Sequence, residues 1–366
     1  MYRNDSRTVI TLDAGGTNFV FGAMRANEFI VEPITMPSNA DDLDKCLATL
    51  VSGFEQVIAR LDCKPVAISF AFPGPADYPN GIIGGYLPNF PSFRDGVALG
   101  PFLEEKFGIP VYINNDADLY AYGEALAGAL PAVNEKLKAL GSGKQYKNLL
   151  GYTFGTGFGM GFVTDGELHI GDNSCVETFC LRHKLHPDVM VEEGVAVRAV
   201  KRVYKEQSGV DDPTLEPKDI YDIAEGKREG DKEAAAKAFA TMGEVAGDAM
   251  ATAVTIVDGL IVIGGGITAA GKYLKPALLG ELRSQIHTLD GGTLNRVQMK
   301  VYDLDNEAEF EEFAGGEQRT IKVYGTDKEV TYDPQKRIGV MFSKIGASTA
   351  ISLGAYAFAL NEIDKQ

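Results

Sequence analysis

Two stretches of this chain place a glycine-rich break between two apolar runs: "LDAGGTNFVFG" at 12–22 and "YTFGTGFGMGF" at 152–162. Glycine accepts positive φ and lets backbone come close, so successive N–H groups in such a turn can converge on an anion. Gly15, Gly16, Thr17 and Asn18 form the first candidate phosphate clasp; Thr153, Gly155, Thr156 and Gly157 form the second. Thr17 and Thr156 add hydroxyl donors. Asp13 repels an anion, and the role that suits it is positioning Mg²⁺ through water beside the phosphates. Neither turn is a Walker loop or a G-x-G-x-x-G opening a helix. One such turn is also what an ordinary hairpin looks like; two in register, each with a threonine, point to paired clasps.

A third stretch, "YINNDADLYAYGE" (112–124), sets an acid where a strand gives way to a helix. Asp116 there is either an N-cap or a general base that takes a proton from a sugar hydroxyl, with Asn115 holding a neighbouring hydroxyl. Ligands of open α/β sheets bind at the carboxyl ends of strands, which is where this acid falls. A fourth, "VIGGGIT" (262–268), ends a buried strand in Gly264, Gly265 and Gly266. It gives either close helix–strand packing or backbone room for an adenine or ribose.

These residues need elements to hold them. Residues 8–24 read as two strands joined by the first turn, with a possible third at 27–36. A helical period covers 41–61, a buried strand 65–73, a Pro/Gly-rich loop 73–93, a helix 100–108, a strand 109–116 and a helix from 117. A Lys-bearing connector (133–148) precedes the second turn. Helices follow near 190–207, 218–226 and 231–256, then the glycine-ended strand, an irregular, charged, β-leaning insertion at 290–336 and a closing helix. Strands alternating with helices argue for an α/β architecture. Asp13 falls opposite Thr153 and Gly15 opposite Gly155, a faint internal repeat that suggests a duplicated domain with one turn from each copy facing a shared cleft.

The bulk composition narrows the classes. Lys+Arg is 35 and Asp+Glu is 51, a formal charge of −16, which disfavours partners bound through phosphate neutralisation such as DNA. No apolar run reaches the ~18 residues of a membrane span, and the N-terminal segment lacks a signal-peptide core. Four cysteines in 366 residues are not a disulfide framework, so a cytoplasmic protein with reduced thiols is expected.

Taken together, the chain resembles the ROK family of sugar kinases and sugar-responsive repressors, within the actin/hexokinase superfamily. "LDAGGTN", "NNDADLYAYGE", "TFGTGFGMGF" and "IVIGGGI" match in order the family's first phosphate loop, catalytic-aspartate segment, second phosphate loop and adenosine-side strand, and "AISLGAYAFA" resembles its C-terminal helix. The resemblance implies two actin-like (ribonuclease H-like) α/β domains with an interdomain cleft. The expected division is 1–117 plus the helix at 345–366, against a larger domain of 118–344. It also implies ATP and Mg²⁺, phosphorylation of a hexose such as glucose, mannose or an N-acetylhexosamine with Asp116 as base, and a homodimer.

The chain departs from the family's pattern at 171–196, "GDNSCVETFCLRHKLHPDVMVEEGVA". Glu177 matches the family's first sugar-binding glutamate; Cys180 stands where a histidine is usual, and the zinc-binding Cys-rich run is absent. Glu192, or Glu193 beside it, matches the later sugar-binding glutamate. Cys175, Cys180, His183 and His186 are clustered soft ligands that could make a substitute zinc site, although their spacing is not a standard knuckle. Asn89 in "YLPNFPSF" resembles the family's sugar-contacting asparagine, or simply makes a turn. The lysines of 134–147 either reach nucleotide phosphates or form a solvated surface. Only 12 residues precede Asp13, so the DNA-binding module of the repressors is not expected. A catalytically silent sugar sensor and an actin-like assembly protein are the other classes the sequence permits.

Overall fold

In the computed structural model, which describes residues 1–74 and 76–365, the chain forms two compact units. Pro75 of the Pro/Gly-rich loop and Gln366 at the chain end lie outside the described residues. The first unit comprises residues 1–129, 161–176 and 344–366; the second comprises 130–160 and 177–343.

The first unit is built on β1 (Val9–Ala14) and β2 (Asn18–Arg25), an antiparallel pair joined by the first glycine turn. The segment expected as one third strand forms two short ones, β3 (Glu28–Phe29) and β4 (Ile34–Pro37), both paired with β2. After α1 (Leu43–Ile58), β5 (Ala67–Ala71) pairs parallel with β1; after α2 (Leu99–Phe107), β6 (Val111–Asn114) pairs parallel with β5. The order β3-β2-β1-β5-β6 results. Alternation of side chains along β1 sends Ile10 and Leu12 into a core with α1, α2 and the rings of Phe19, Phe21, Phe54, Phe70 and Phe72. Val9 faces the other way, against Leu353, Tyr356 and Leu360 of the last helix. The Pro/Gly-rich loop carries two two-residue strands, at 76–77 and 82–83, which form a small sheet with a third at 97–98 just beyond it.

Helix α3 (Asp116–Leu126) leaves the end of β6 at once. It belongs to the first unit, which runs on to residue 129. The reason is close packing against α10 (Ala347–Asp364). A Cβ on Gly123 would lie 1.9 Å from the Ala350 carbonyl oxygen, and one on Gly354 would lie 1.9 Å from that of Leu119. Only glycine lets the two backbones approach this far, and the contact fixes the helix that carries Asp116.

The connector expected at 133–148 contains a helix, α4 (Ala129–Ala139), burying Leu130, Val133 and Leu137 on one face. Its Lys136 pairs with Glu307 and lies 3.9 Å from the Phe310 ring centroid, so that lysine serves packing. Beyond it, β7 (Leu149–Phe154), β8 (Phe158–Thr164) and β9 (Glu167–Leu168) repeat the opening pattern, and the unit boundary falls within β8.

The hairpin β10 (Arg182–His183) and β11 (His186–Met190) precedes α5 (Val197–Ser208), α6 (Pro217–Ala224) and the long α7 (Lys232–Val257). The buried β12 (Leu260–Gly264) pairs parallel with β7 and is followed by α8 (Gly271–Leu282). The segment read as an insertion supplies an edge strand of the main sheet, β13 (Lys300–Asp303), parallel to β14 (Arg337–Phe342), and a helix, α9 (Glu307–Gly315). Val301, Tyr302, Phe310 and Phe313 are buried, which ties these elements to the core despite the surrounding charge. Only the exposed hairpins 285–295 and 319–332 stand apart as excursions. The order β9-β8-β7-β12-β14-β13 repeats that of the first sheet over five strands; both sheets have six, the second extended by β13 at its edge where the first has β4 beside β2.

Candidate active site

The first glycine turn closes β1 onto β2 by a bond from the Gly15 N–H to the Asn18 carbonyl, 3.0 Å. Asp13, Gly15, Gly16, Thr17 and Asn18 are all exposed. The turn is held from one side by Ser38, whose hydroxyl donates to the Gly16 carbonyl at 2.6 Å and whose N–H donates to that of Thr17 at 3.0 Å. Asn89 covers Gly16: a Cβ added there would lie 2.9 Å from the Asn89 Cβ. The asparagine of the Pro-rich loop is therefore brought onto the first turn, with its own side chain open to solvent. Among the described residues the N–H groups of Gly16 and Thr17 meet no backbone acceptor.

The second turn has the same length but a tighter closure: the Gly155 N–H donates at 3.2 Å to the carbonyl of Gly157, two residues on, where the first turn reaches three residues on to Asn18. Here Thr156 and Gly157 keep N–H groups without a backbone acceptor among the described residues. Open, adjacent amides at a glycine bend are what a phosphate oxygen requires. The two glutamates expected at the sugar lie along the strand that leaves this turn. Glu192 accepts the Phe158 N–H at 3.0 Å, and Glu177 accepts the Met160 N–H at 3.2 Å. That half of β8 has no strand partner on its outer edge, because β9 pairs only with Val163 and Thr164. The two carboxylates satisfy its alternate donors instead. Glu193 turns to Arg198.

At the end of β6 the helix cap is Asn115, in extended conformation, whose Oδ1 accepts the Ala117 N–H at 2.8 Å. Asp116 is thus the first helical residue and not the N-cap; its Oδ1 shares the Ala117 N–H, also at 2.8 Å. Capping uses the Asn115 oxygen and leaves its amide N–H groups free to donate. Asp116 is open to solvent, yet enough protein surrounds it that removal from bulk water pushes its carboxyl above the usual carboxylate range. The Ala117 N–H opposes that shift, and the charge of Asp13 adds to it. Partial burial raises Asp13 as well. Among the described residues neither acid has a cationic partner or, for Asp13, any hydrogen bond. An uncompensated carboxylate beside open turn amides fits a water-mediated ligand of a divalent cation.

Of the three glycines expected on the adenosine side, Gly265 is demanded by packing: its φ is +95° and a Cβ would lie 2.2 Å from the Phe154 carbonyl oxygen. Gly264 pairs with Thr153 across β7 and β12. A Cβ on Gly266 would meet nothing within 4 Å, which leaves the space a ligand would need.

The substitute zinc site does not form. Among the described residues no three His, Cys, Asp or Glu side chains converge as metal ligands. His183 and His186 face each other across the tight β10–β11 turn with ring centroids 5.0 Å apart. His183 is buried, its Nδ1 accepts the Leu185 N–H at 3.1 Å and its ring packs on Gly194. Cys175 donates to the Asn173 carbonyl, and Cys180 is an exposed thiol.

Sequence reasoning missed Ser38, Asp118 and Arg198. Asp118 is buried, and desolvation followed by the charge of Asp116 pushes its carboxyl up to about 8. Its signal was the second acid of "DAD", one turn-step into a buried helix.

A sequence profile of the ROK family matches residues 9–179. A glucokinase of known structure from Parabacteroides distasonis is 58% identical, with 99% of each chain covered and a TM-score of 0.89. The chain belongs to the ROK family. It is 26% identical over 314 residues to a glucokinase from Thermotoga maritima, spanning 76% of this chain and 86% of that protein. It is 32% identical over 161 residues to an N-acetyl-D-glucosamine kinase from Photobacterium profundum, where the match spans 44% of this chain and about half, 48%, of the relative. The repeated strand order of the two sheets is the actin-like fold of ROK sugar kinases. No helix among the described residues is long and apolar enough to cross a membrane.

Proposed function

We propose that this ROK protein is an ATP-dependent hexose kinase acting on glucose, mannose or an N-acetylhexosamine, with Asp116 as general base. The observation that carries the reading is the solvent-open, cation-free carboxylate of Asp116 at the strand end, in the same unit as a turn with free amides. The 58% identity to a glucokinase over nearly the whole chain supports the reaction class, and the amino-sugar kinase among the relatives keeps the substrate range at hexoses and their N-acetyl derivatives.

Phosphoryl transfer asks for positioning and charge neutralisation more than for covalent help. In each unit, taken by itself, the open amides of the turn, Gly16 and Thr17 in the first and Thr156 and Gly157 in the second, suit phosphate oxygens. Asp13 would hold Mg²⁺ through water, and the ion supplies neutralisation of the triphosphate when bound. Asn89 and the free amide of Asn115 orient sugar hydroxyls. Asp116 accepts the proton of the attacking hydroxyl as the new P–O bond forms, and its raised pKa makes the ionised carboxylate a stronger acceptor. ADP release measured over a panel of hexoses and N-acetylhexosamines, with and without Mg²⁺, tests the reading. Sugar-dependent release that requires the metal is expected; sugar binding with no release across the panel would overturn it.

A further inference from the structure

The second turn is clamped at three points, and one side chain serves two of them. The Val197 N–H, at the start of α5, donates to the Gly155 carbonyl at 3.0 Å. The next residue, Arg198, donates from Nη1 to the Thr156 carbonyl at 3.2 Å and from Nη2 to Glu192 Oε1 at 2.7 Å. Glu192 Oε2 in turn accepts the Phe158 N–H at 3.0 Å. The guanidinium is finished by Glu193, which accepts from its Nε at 2.8 Å. Gly157 is pressed against this brace: a Cβ there would lie 2.8 Å from Glu192 Oε2.

Two consequences follow from the chemistry. The planar fork of arginine can hold a carboxylate and a carbonyl at once, which an ammonium holds less well. A carboxylate a few ångströms from open amides also competes with an incoming anion, unless a fixed cation neutralises it. Arg198 is that cation.

We propose that Arg198 is a positioning residue for the nucleotide, holding Glu192 and the Thr156 carbonyl so that the open amides of Thr156 and Gly157 stay shaped for phosphate. The proposal rests on reading the second turn as a phosphate clasp. Glu192 then serves the turn through both of its oxygens, whatever it offers a sugar. The Arg198 side chain is 42% exposed, so its replacement should leave the fold intact.

The test compares Arg198→Gln and Arg198→Lys with the unaltered protein by two readouts. Amide hydrogen exchange at Phe158 in the ligand-free protein reads the brace, and calorimetric titration with ATP and Mg²⁺ reads the nucleotide. For Arg198→Gln, exchange at Phe158 should accelerate and the Kd for ATP should rise about tenfold, the effect of losing one charge-assisted hydrogen bond. Arg198→Lys should recover part of both, and kcat/KM for ATP should fall further than kcat. Unchanged exchange at Phe158 overturns the brace, whether or not the protein is a kinase. Faster exchange with unchanged ATP affinity overturns the nucleotide role while leaving the brace and the kinase reading standing. An unaltered protein that binds ATP but phosphorylates no sugar defeats the kinase reading alone.

Discussion

The two glycine turns share a length and a pair of open amides, and each is closed by the N–H of its first glycine, yet they are held in opposite ways. The first is exposed, carries the acid Asp13 at its strand end and is fixed by neutral groups, the Ser38 hydroxyl and the Asn89 side chain. The second has Thr153 at the matching position and is fixed by charges, Glu192 neutralised by Arg198. A duplicated backbone therefore carries two different electrostatic settings. The side with the free carboxylates, Asp13 and Asp116, suits a cation and a proton; the side whose charges are already paired suits an anion.

The largest effect should come from removing the carboxylate proposed as base on the first side. Asp116→Asn should lower kcat by roughly 10²–10⁴ while sugar affinity, measured by calorimetry, is kept. The unaltered enzyme should show an acid limb in kcat/KM displaced upward from the ordinary carboxylate range, because desolvation raises Asp116. Near-normal turnover in the variant would remove the asymmetry altogether.

Exchanging the acids between turns comes next. Asp13→Asn should weaken the Mg²⁺ dependence of the rate by roughly 10–100-fold, the usual size for a group that orients a metal's water shell. Thr153→Asp should instead raise the KM for ATP, because it sets a like charge beside an anion clasp. Equal effects on both parameters in both variants would make the turns interchangeable.

A smaller effect concerns Asp118, under the first side. Its carboxyl is raised when folded, so its contribution to stability is complete below the unfolded value near 4 and is lost as pH rises through about 8. The melting temperature should decline over that window, by at most about 1.4 kcal/mol of stability per pH unit. Asp118→Asn should flatten the decline and leave the protein more stable at pH 8. A decline of the same slope in the variant would show that other groups set it.

The smallest contrast lies within one turn. Gly155→Ala meets open space and should change stability, read from the melting temperature, by less than about 0.5 kcal/mol. Gly157→Ala meets Glu192 and should cost about 1 kcal/mol or more in nucleotide binding, read from the KM for ATP.

Much of this is legible in the sequence. The turns were visible because glycine, threonine and flanking apolar residues carry their signal within ten positions, and Asp116 because a strand-to-helix change is local. The helix at 129–139 was missed although Leu130, Val133 and Leu137 repeat at helical spacing, since its lysines drew the reading toward a connector. The edge strand at 300–303 was missed because strand pairing with a partner 37 residues on leaves no local mark.

By itself the sequence determined that the chain is an α/β duplication with two glycine-rich turns and one acid at a strand end, because these are set by neighbours in the chain. The tertiary structure decided what stands beside those turns. It brought Asn89 onto Gly16, set Glu192 and Arg198 on the second bend, and paired two histidines across a hairpin instead of around a metal. Each of these joins depends on a backbone path that brings distant residues within a few ångströms, and hydrogen bonds and ion pairs act only at that range.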